Sequence, residues 1–497
     1  MTERGQMRQR RATATRSTAR WGLRPQSVVS VLLVLGSLSC SASGSDLIEP
    51  PPPRPPPPPP TDTTPATIRL EAGTRYQTIS GWYATPELGQ YTCPTYPLYK
   101  DELMDRAVNE LGLNRLKMGL PASIEHPHNH FADFMAGNLS FGAWVNTWKT
   151  AVNDNADPFV MNPAGFQWGQ LDDMIENIVI PMRQRLRSRG EPAPLMGTFG
   201  DSQTDPFDHK RAPEEYAEFL LAIYLHMQSK YGFVPDVLEV INEPDTGPVS
   251  WSPGQIGAAI VAAGQRLEAA GFTPRFAVPA ASGVDLANLI FDAVIRTPGA
   301  LKYISEISYH RYSGVSDANV QGIGQRAQQY NIGANMSEHI GSGFEDLYTD
   351  LTLGRNTAWM QFGLALCGSG VNDGGGIYYR VDQSDPARPV IQPRSRTPFL
   401  WQYFRYIRNG AQRIAASTSD ANVVPIAFLN ANGKYVVVVN AAAQASFTIG
   451  DLPAGVYGIT FATDSESNGS LPDVSMATGQ KLPATIPARG VLTVFGK

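Results

Sequence analysis

The sequence predicts an α/β protein, a (β/α)8 barrel (TIM barrel) carrying a C-terminal antiparallel β-sandwich as a side domain. Three observations lead there. From about residue 76, apolar extended stretches alternate with segments of helical period, the pattern of a parallel sheet with crossover helices. From about Arg413 the pattern changes to short β-rich runs divided by Gly, Asn, Asp and Pro. A chain of 497 residues, 42% of them hydrophobic, also has the material for one large core and a smaller module.

The expected barrel strands are residues 76–82, 114–120, 195–199, 237–242, 275–280, 304–310, 333–337 and 376–379. Between them lie amphipathic stripes at i, i+3, i+4, i+7 spacing. One is Tyr216, Phe219, Leu220, Ile223 and Met227, opened by Pro213 with Glu214 and Glu215 in its first turn; another is Leu171, Met174, Ile175, Ile178 and Met182. Both stripes read as core packing, and Pro181 is expected to kink the second helix. The sandwich strands are residues 423–429, 434–440, 446–452, 457–463 and 490–495. These runs divide the chain into a barrel at 67–410 and a sandwich at 411–497, with the early strand 67–71 a candidate to pair with the sandwich.

Ahead of the folded part lie two further segments. Arginines at positions 4, 8, 10, 11, 16, 20 and 24 precede the apolar run 28–38, the order of a secretion signal, so residues 1–40 read as a signal peptide. The run is shorter than the roughly 20 residues a membrane span needs. Ser37-Leu38-Ser39-Cys40 resembles a bacterial lipobox, whose cysteine is acylated, although the usual leucine is replaced by Ser37. Residues 41–66 form a spacer with no expected fold, and prolines 50–60, interrupted only by Arg54, make part of it a stiff polyproline rod. The expectation is export, either to the cell envelope through lipidated Cys40 or into the medium after cleavage in the small-residue cluster 39–43. The net charge of −5 is that of the whole chain, and because seven arginines are concentrated in this leader the folded part is more acidic still, so nothing suggests a nucleic-acid partner. Cys93 and Cys367 either pair or stay as buried thiols.

Barrel enzymes carry their chemistry at the carboxyl ends of the strands. Two glutamates occupy such places: the fourth predicted strand runs into Asn242-Glu243-Pro244, and the seventh into Glu338-His339. Glycoside cleavage with retention needs one protonated carboxyl to donate to the leaving oxygen and one ionised carboxylate to attack the anomeric carbon. Strands four and seven face one another across a barrel mouth and can supply the pair.

Asn242-Glu243-Pro244 resembles the acid/base motif of the glycoside hydrolases of clan A, whose nucleophile ends strand seven. His310-Arg311-Tyr312 is similar to that clan's His-x-Tyr on strand six, and Arg115 stands where its strand-two arginine does. Residues 77–82 resemble the first strand of glycoside hydrolase family 30, and residues 486–491 the last strand of that family's attached sandwich; the resemblance spans about residues 67–497. It implies Glu243 as acid/base, Glu338 as nucleophile, Asn242 as donor to the sugar 2-hydroxyl and Tyr312 as partner of the nucleophile. It further implies Arg115 as the cation that keeps Glu338 ionised and His310 as a residue that orients Glu243 or shapes the pocket floor; read by position alone, Arg115 is otherwise a barrel-floor ion pair and Tyr312 a buried phenol satisfying its hydroxyl. The substrate is a β-linked poly- or oligosaccharide, and no cofactor is implied.

Gly81-Trp82-Tyr83-Ala84 departs from the Gly-Phe-Gly-Gly common in the family, and Tyr378-Tyr379 stand where the eighth strand often ends in tryptophan. Trp82, Tyr378 and Tyr379 are either platforms for sugar rings or core packing. Isolated, Asn-Glu-Pro is an ordinary turn signal; joined to Glu338 and to His310-x-Tyr312 it becomes specific. His126-Pro-His128-Asn-His130 raises a metal-dependent barrel hydrolase as a competing function, but alternation in a loop is poor geometry for three ligands on one ion, no carboxylate motif accompanies it, and no metal site is expected. A glycan-binding surface lipoprotein without catalysis is the other competitor, disfavoured because pure binding has no need of both glutamates. The stretch 125–166 is long for a βα loop and is expected to wall one side of the cleft.

Overall fold

The computed structural model describes residues 65–200, 207–247, 250–367 and 376–497. The expected signal peptide, Cys40 and nearly all of the spacer lie outside the described residues. Among the described residues no helix is long and apolar enough to cross a membrane.

After β1 (Ala66–Thr78), which joins the second sheet, come eight parallel strands: β2 (Gly81–Trp82), β3 (Leu116–Pro121), β4 (Leu195–Gly200), β5 (Val237–Glu239), β6 (Phe276–Gly283), β7 (Ile304–Ser313), β8 (Gly333–Glu338) and β9 (Ala358–Trp359). They hydrogen-bond in the order β2-β9-β8-β7-β6-β5-β4-β3. The two ends of this order meet, because the Trp82 carbonyl accepts from the amides of Asn114 and Arg115 at 3.0 and 3.1 Å. Gly81 permits that closure: its φ is +144°, and a Cβ there would stand 2.6 Å from Cβ of Arg115.

The eighth barrel strand corrects the sequence expectation. It is Ala358–Trp359, whose two residues are too few to show any period. The apolar run at 376–379 belongs instead to a separate three-stranded sheet, in which β10 (Gly363–Cys367) pairs parallel with β11 (Ile377–Asp382), and β11 pairs antiparallel with β12 (Val390–Pro393).

Helices cover the barrel with the expected faces. Tyr216, Phe219, Leu220, Ile223 and Met227 of the helix Pro213–Tyr231 are all buried. Around Pro181 the chain forms an α-helix, Gly169–Met174, a π-helical turn, Ile175–Val179, and a second α-helix, Ile180–Ser188. The wider turn falls just ahead of the proline, whose missing N–H leaves a gap in the helical ladder.

The second sheet has nine strands in the order β18-β17-β20-β15-β14-β13-β1-β16-β19. Its members after the barrel are β13 (Gln412–Thr418), β14 (Val423–Leu429), β15 (Tyr435–Ala441), β16 (Ala445–Ile449), β17 (Gly455–Thr463), β18 (Gly469–Met476), β19 (Leu482–Ile486) and β20 (Gly490–Gly496). β1 pairs antiparallel with β13 and parallel with β16. The valine run of β15 has a physical reason: Val437 and Val439 enter the sandwich's own core with Ile68, Phe447 and Leu492, while Val436 and Val438 pack toward the barrel. A strand buried on both faces needs no polar alternation. The helix Thr397–Phe404, buried along its whole length, fills the seam.

Candidate active site

β7 shows how the sequence aims its side chains. With successive residues pointing to opposite faces, Tyr309 and Arg311 turn outward and His310 and Tyr312 toward the mouth. Outside, the Asp350 carboxylate accepts from Tyr309 at 2.7 Å, from Arg311 at 2.5 Å and from Trp359 at 2.9 Å, and Arg311 also donates to Asp346 at 2.8 Å. This network fixes the strand from behind. Burial pushes the Asp350 carboxyl up to about 6 despite the opposing Arg311 charge.

At the mouth, Nδ1 of the fully buried His310 lies 3.0 Å from Oε1 of Glu243, and the Tyr312 hydroxyl donates to Oε1 of Glu338 at 3.0 Å. One oxygen of Glu243, one nitrogen of His310 and one oxygen of Glu338 all lie within 4.8 Å of one another. Burial draws the His310 imidazole down, but the nearby Glu338 and Glu243 carboxylates outweigh it and hold the imidazole above its ordinary value. Burial, together with the negative charge of Glu338, raises the Tyr312 phenol, so it serves as a hydrogen-bond donor.

Glu243 stands beyond β5 with φ +50°, a left-handed conformation that costs a non-glycine residue about 1 kcal/mol or more. Its amide donates to the carbonyl of Ala280, itself at φ +55°, and its carbonyl accepts from the Thr246 amide and hydroxyl. Asn242 precedes it, half-buried, with its amide donating to Phe199 O at 3.1 Å. Glu338 closes β8 directly, and the next amide, that of His339, is held by Gln361 O at 2.7 Å.

Four sequence-derived residues lie elsewhere. Arg115 is buried in a bidentate pair with Glu306 at 2.8 and 2.9 Å and also donates to Ser80, so its charge is matched to Glu306 and not committed to Glu338. Trp82 is fully buried: its ring stacks on Phe404 at 4.8 Å and its indole N–H donates to Ile407 O at 2.6 Å. Tyr378 is equally buried, donating to Tyr83 O and accepting from the Gln361 amide, and Tyr379 donates to Arg106 O. No face of these three rings is open to a sugar, which favours packing over the platform role. All are apolar enough for either fate, and only the partner residues decide it.

Two groups escaped the sequence. Lys117, on β3, forms a buried pair with Glu239 of β5 at 3.1 Å beneath the mouth. Glu87, five residues beyond the first barrel strand, is open to solvent as a residue, but its carboxyl is pushed up to about 7 by desolvation and by the Glu338 charge, with Lys117 opposing. The only signal for it was an acid in the loop after strand one. Cys93 and Cys367 form a disulfide that joins the loop after β2 to the end of β10. Two further groups of side chains converge closely enough to hold a cation: His128, His130 and Asp133, and Asp154, Glu215 and Glu218.

An eight-stranded parallel barrel with paired carboxylates at the ends of its fourth and seventh strands, and a β-sandwich built from both chain ends of the folded part, defines a class of architecture. Residues 410–494 match the family model described as the glycosyl hydrolase family 30 beta sandwich domain. The fold is similar to a family 30 endoxylanase from Clostridium papyrosolvens C71 at 16% identity and TM-score 0.61, covering 87% of this chain and 100% of that one. It is similar to the catalytic domain of family 30 xylanase C from Talaromyces cellulolyticus at 15% identity and TM-score 0.64, covering 87% and 100%. An endo-β1,6-glucanase is similar at 15% identity and TM-score 0.61, covering 88% and 95%. At these identities the likeness is one of fold, and it matches the family 30 barrel with attached sandwich that the sequence motifs resemble. No curated protein matches the chain by sequence.

Proposed function

We propose that this protein is an exported retaining glycoside hydrolase that cleaves β-glycosidic bonds of a poly- or oligosaccharide by double displacement. The observation that carries the reading is the approach of Glu243 and Glu338 oxygens to within 4.8 Å. So near an approach of one oxygen from each suits the carboxyl-group separation of about 5–5.5 Å in retaining enzymes better than the roughly 6.5–9.5 Å that inverting enzymes need to admit a water.

In the first step Glu338 attacks the anomeric carbon while Glu243 gives its proton to the departing oxygen, leaving a glycosyl ester on Glu338. In the second, Glu243 takes a proton from water, which attacks the anomeric carbon and frees Glu338. Tyr312 donates to Glu338 and so holds the carboxylate on its line of attack. His310 anchors Glu243 from within the barrel through its Nδ1, 3.0 Å from the carboxyl oxygen. Asn242, adjacent to the acid, is the donor for the sugar 2-hydroxyl. The xylanases and the β1,6-glucanase among the similar structures make xylan and β-1,6-glucan the first substrates to try.

Export rests on the arginine-then-apolar leader and on the Cys93–Cys367 disulfide, which suits an oxidising compartment. Cys40, followed by the proline spacer, is the site for a lipid anchor that holds the barrel off the membrane.

The test is hydrolysis of a panel of β-linked oligosaccharides with product sizing and determination of the anomer first released. The expected outcome is retention, abolished turnover in Glu338→Ala, and in Glu243→Ala a loss greatest for substrates with poor leaving groups. Undiminished turnover in both variants, or inversion, overturns the mechanism.

A further inference from the structure

The histidine alternation at 126–130 has a different meaning in three dimensions from the one its spacing suggests. His128 enters from the loop, and the helix His130–Met135 follows at once, capped by Asn129, whose side chain accepts from the Ala132 amide at 2.9 Å. Within that helix His130 and Asp133 stand three apart, on one face. The adjacent face is fixed: Phe131 and Phe134 pack on Trp144, with ring centroids 5.4 and 4.4 Å away, and on Tyr91. The aromatic cluster therefore sets the rotation of the helix and turns His130 and Asp133 outward together.

His128 completes the group. Its Nε2 lies 2.6 Å from Oδ2 of Asp133, and ligand atoms of His128, His130 and Asp133 all fall within 4.8 Å of one another. The His130 ring is 4.7 Å from that of His128 and 4.5 Å from that of His126, and the His128 amide donates to Nδ1 of His126 at 2.9 Å, which orients the fourth side chain.

We propose that His128, His130 and Asp133, with His126 beside them, bind a zinc-type divalent cation that fastens the 125–166 insertion. The donor set selects the ion: imidazole nitrogens with one carboxylate suit Zn2+ and its first-row neighbours, whereas Ca2+ and Mg2+ want oxygen alone. On binding, the direct His128–Asp133 hydrogen bond is replaced by a bond from each side chain to the ion, its proton passing to water, which ties the loop to the helix. The site lies on the 125–166 insertion and shares no residue with the group Glu243, His310 and Glu338, so its test does not depend on the hydrolase reading.

The full chain, prepared without a histidine tag and stripped with chelator, is titrated with Zn2+ by calorimetry and with Co2+ by visible absorption. The expected result is one ion per chain, a Zn2+-dependent slowing of proteolysis within 125–166, loss of both in His128→Ala/His130→Ala, and their persistence in Glu338→Gln. Asp133→Asn, a single change at a partly exposed position, decides the matter if the double variant fails to fold, and is expected to bind at least about tenfold more weakly. No stoichiometric uptake, uptake unchanged in these variants, or uptake lost in Glu338→Gln, which would place the ion on Glu243, His310 and Glu338, each overturns the proposal.

Discussion

Replacing Trp82 separates two roles that its sequence position leaves open. A fully buried tryptophan removes roughly 150–250 Å2 from water, which at about 25 cal/mol per Å2 is about 4–6 kcal/mol. A compact unfolded chain lowers that figure, and measured Trp→Ala losses run about 3–5 kcal/mol. Trp82→Ala is therefore expected to cost about 4 kcal/mol, since it empties the slot against Phe404 at the seam between barrel and sandwich. Trp82→Phe keeps the stack and loses the 2.6 Å bond to Ile407 O, stranding a buried carbonyl at about 1–3 kcal/mol. Urea unfolding followed by tryptophan fluorescence and circular dichroism measures both losses, and KM measured where each variant is still folded reports any sugar contact. The reasoning is refuted if Trp82→Ala unfolds at the wild-type urea concentration while KM rises several-fold, the behaviour of an exposed platform.

Tyr312→Phe removes the donor to Glu338 at a partly exposed position, so kcat/KM is expected to fall roughly 10- to 100-fold, the worth of a hydrogen bond to a charged group, with the unfolding midpoint unchanged. Asp350 binds its proton more tightly folded than unfolded; the folded state holds more protons between about pH 4 and 6, and its contribution to stability falls as pH rises through that window. Asp350→Asn should flatten this part of the stability–pH profile, measured by urea titration at several pH values. Reducing Cys93–Cys367, which closes a separation of 274 residues, is expected to lower the unfolding free energy by up to roughly 5 kcal/mol, read as a shifted denaturation midpoint with and without dithiothreitol.

Period and punctuation made the architecture legible: six of the eight barrel strands, the helical faces and the main sandwich strands announce themselves by alternation, apolar runs and turn residues, whereas Gly81–Trp82 is only the tail of the run 76–82, whose residues 76–78 belong to β1 of the sandwich sheet. Ala358–Trp359 did not, since two residues carry no period. Its place was taken in the sequence by Tyr378-Tyr379, which are apolar for a different reason, being buried where β11 meets β10 and the helix Thr397–Phe404. Because the misread strand is the last one, the ordinal positions of Glu243 and Glu338 survive the error.

The site divides along a physical line. Glu243, His310, Tyr312 and Glu338 come together because each stands at or near the carboxyl end of a strand, and strand ends can be counted in a sequence. Arg115 could not be read the same way. Its position on the barrel wall is legible, but its charge is settled by Glu306, 191 positions away on β7, and nothing local in either stretch distinguishes a structural pair from a catalytic cation. The histidines reverse the case. Their alternation argues against one ion shared by all three, and the structure draws together only His128 and His130, with Asp133 of the helix that begins at His130, a partner that the alternation does not announce. Where a side chain's role depends on its own place in a repeating element, sequence suffices; where it depends on the partner that neutralises or orients it, the partner must be seen.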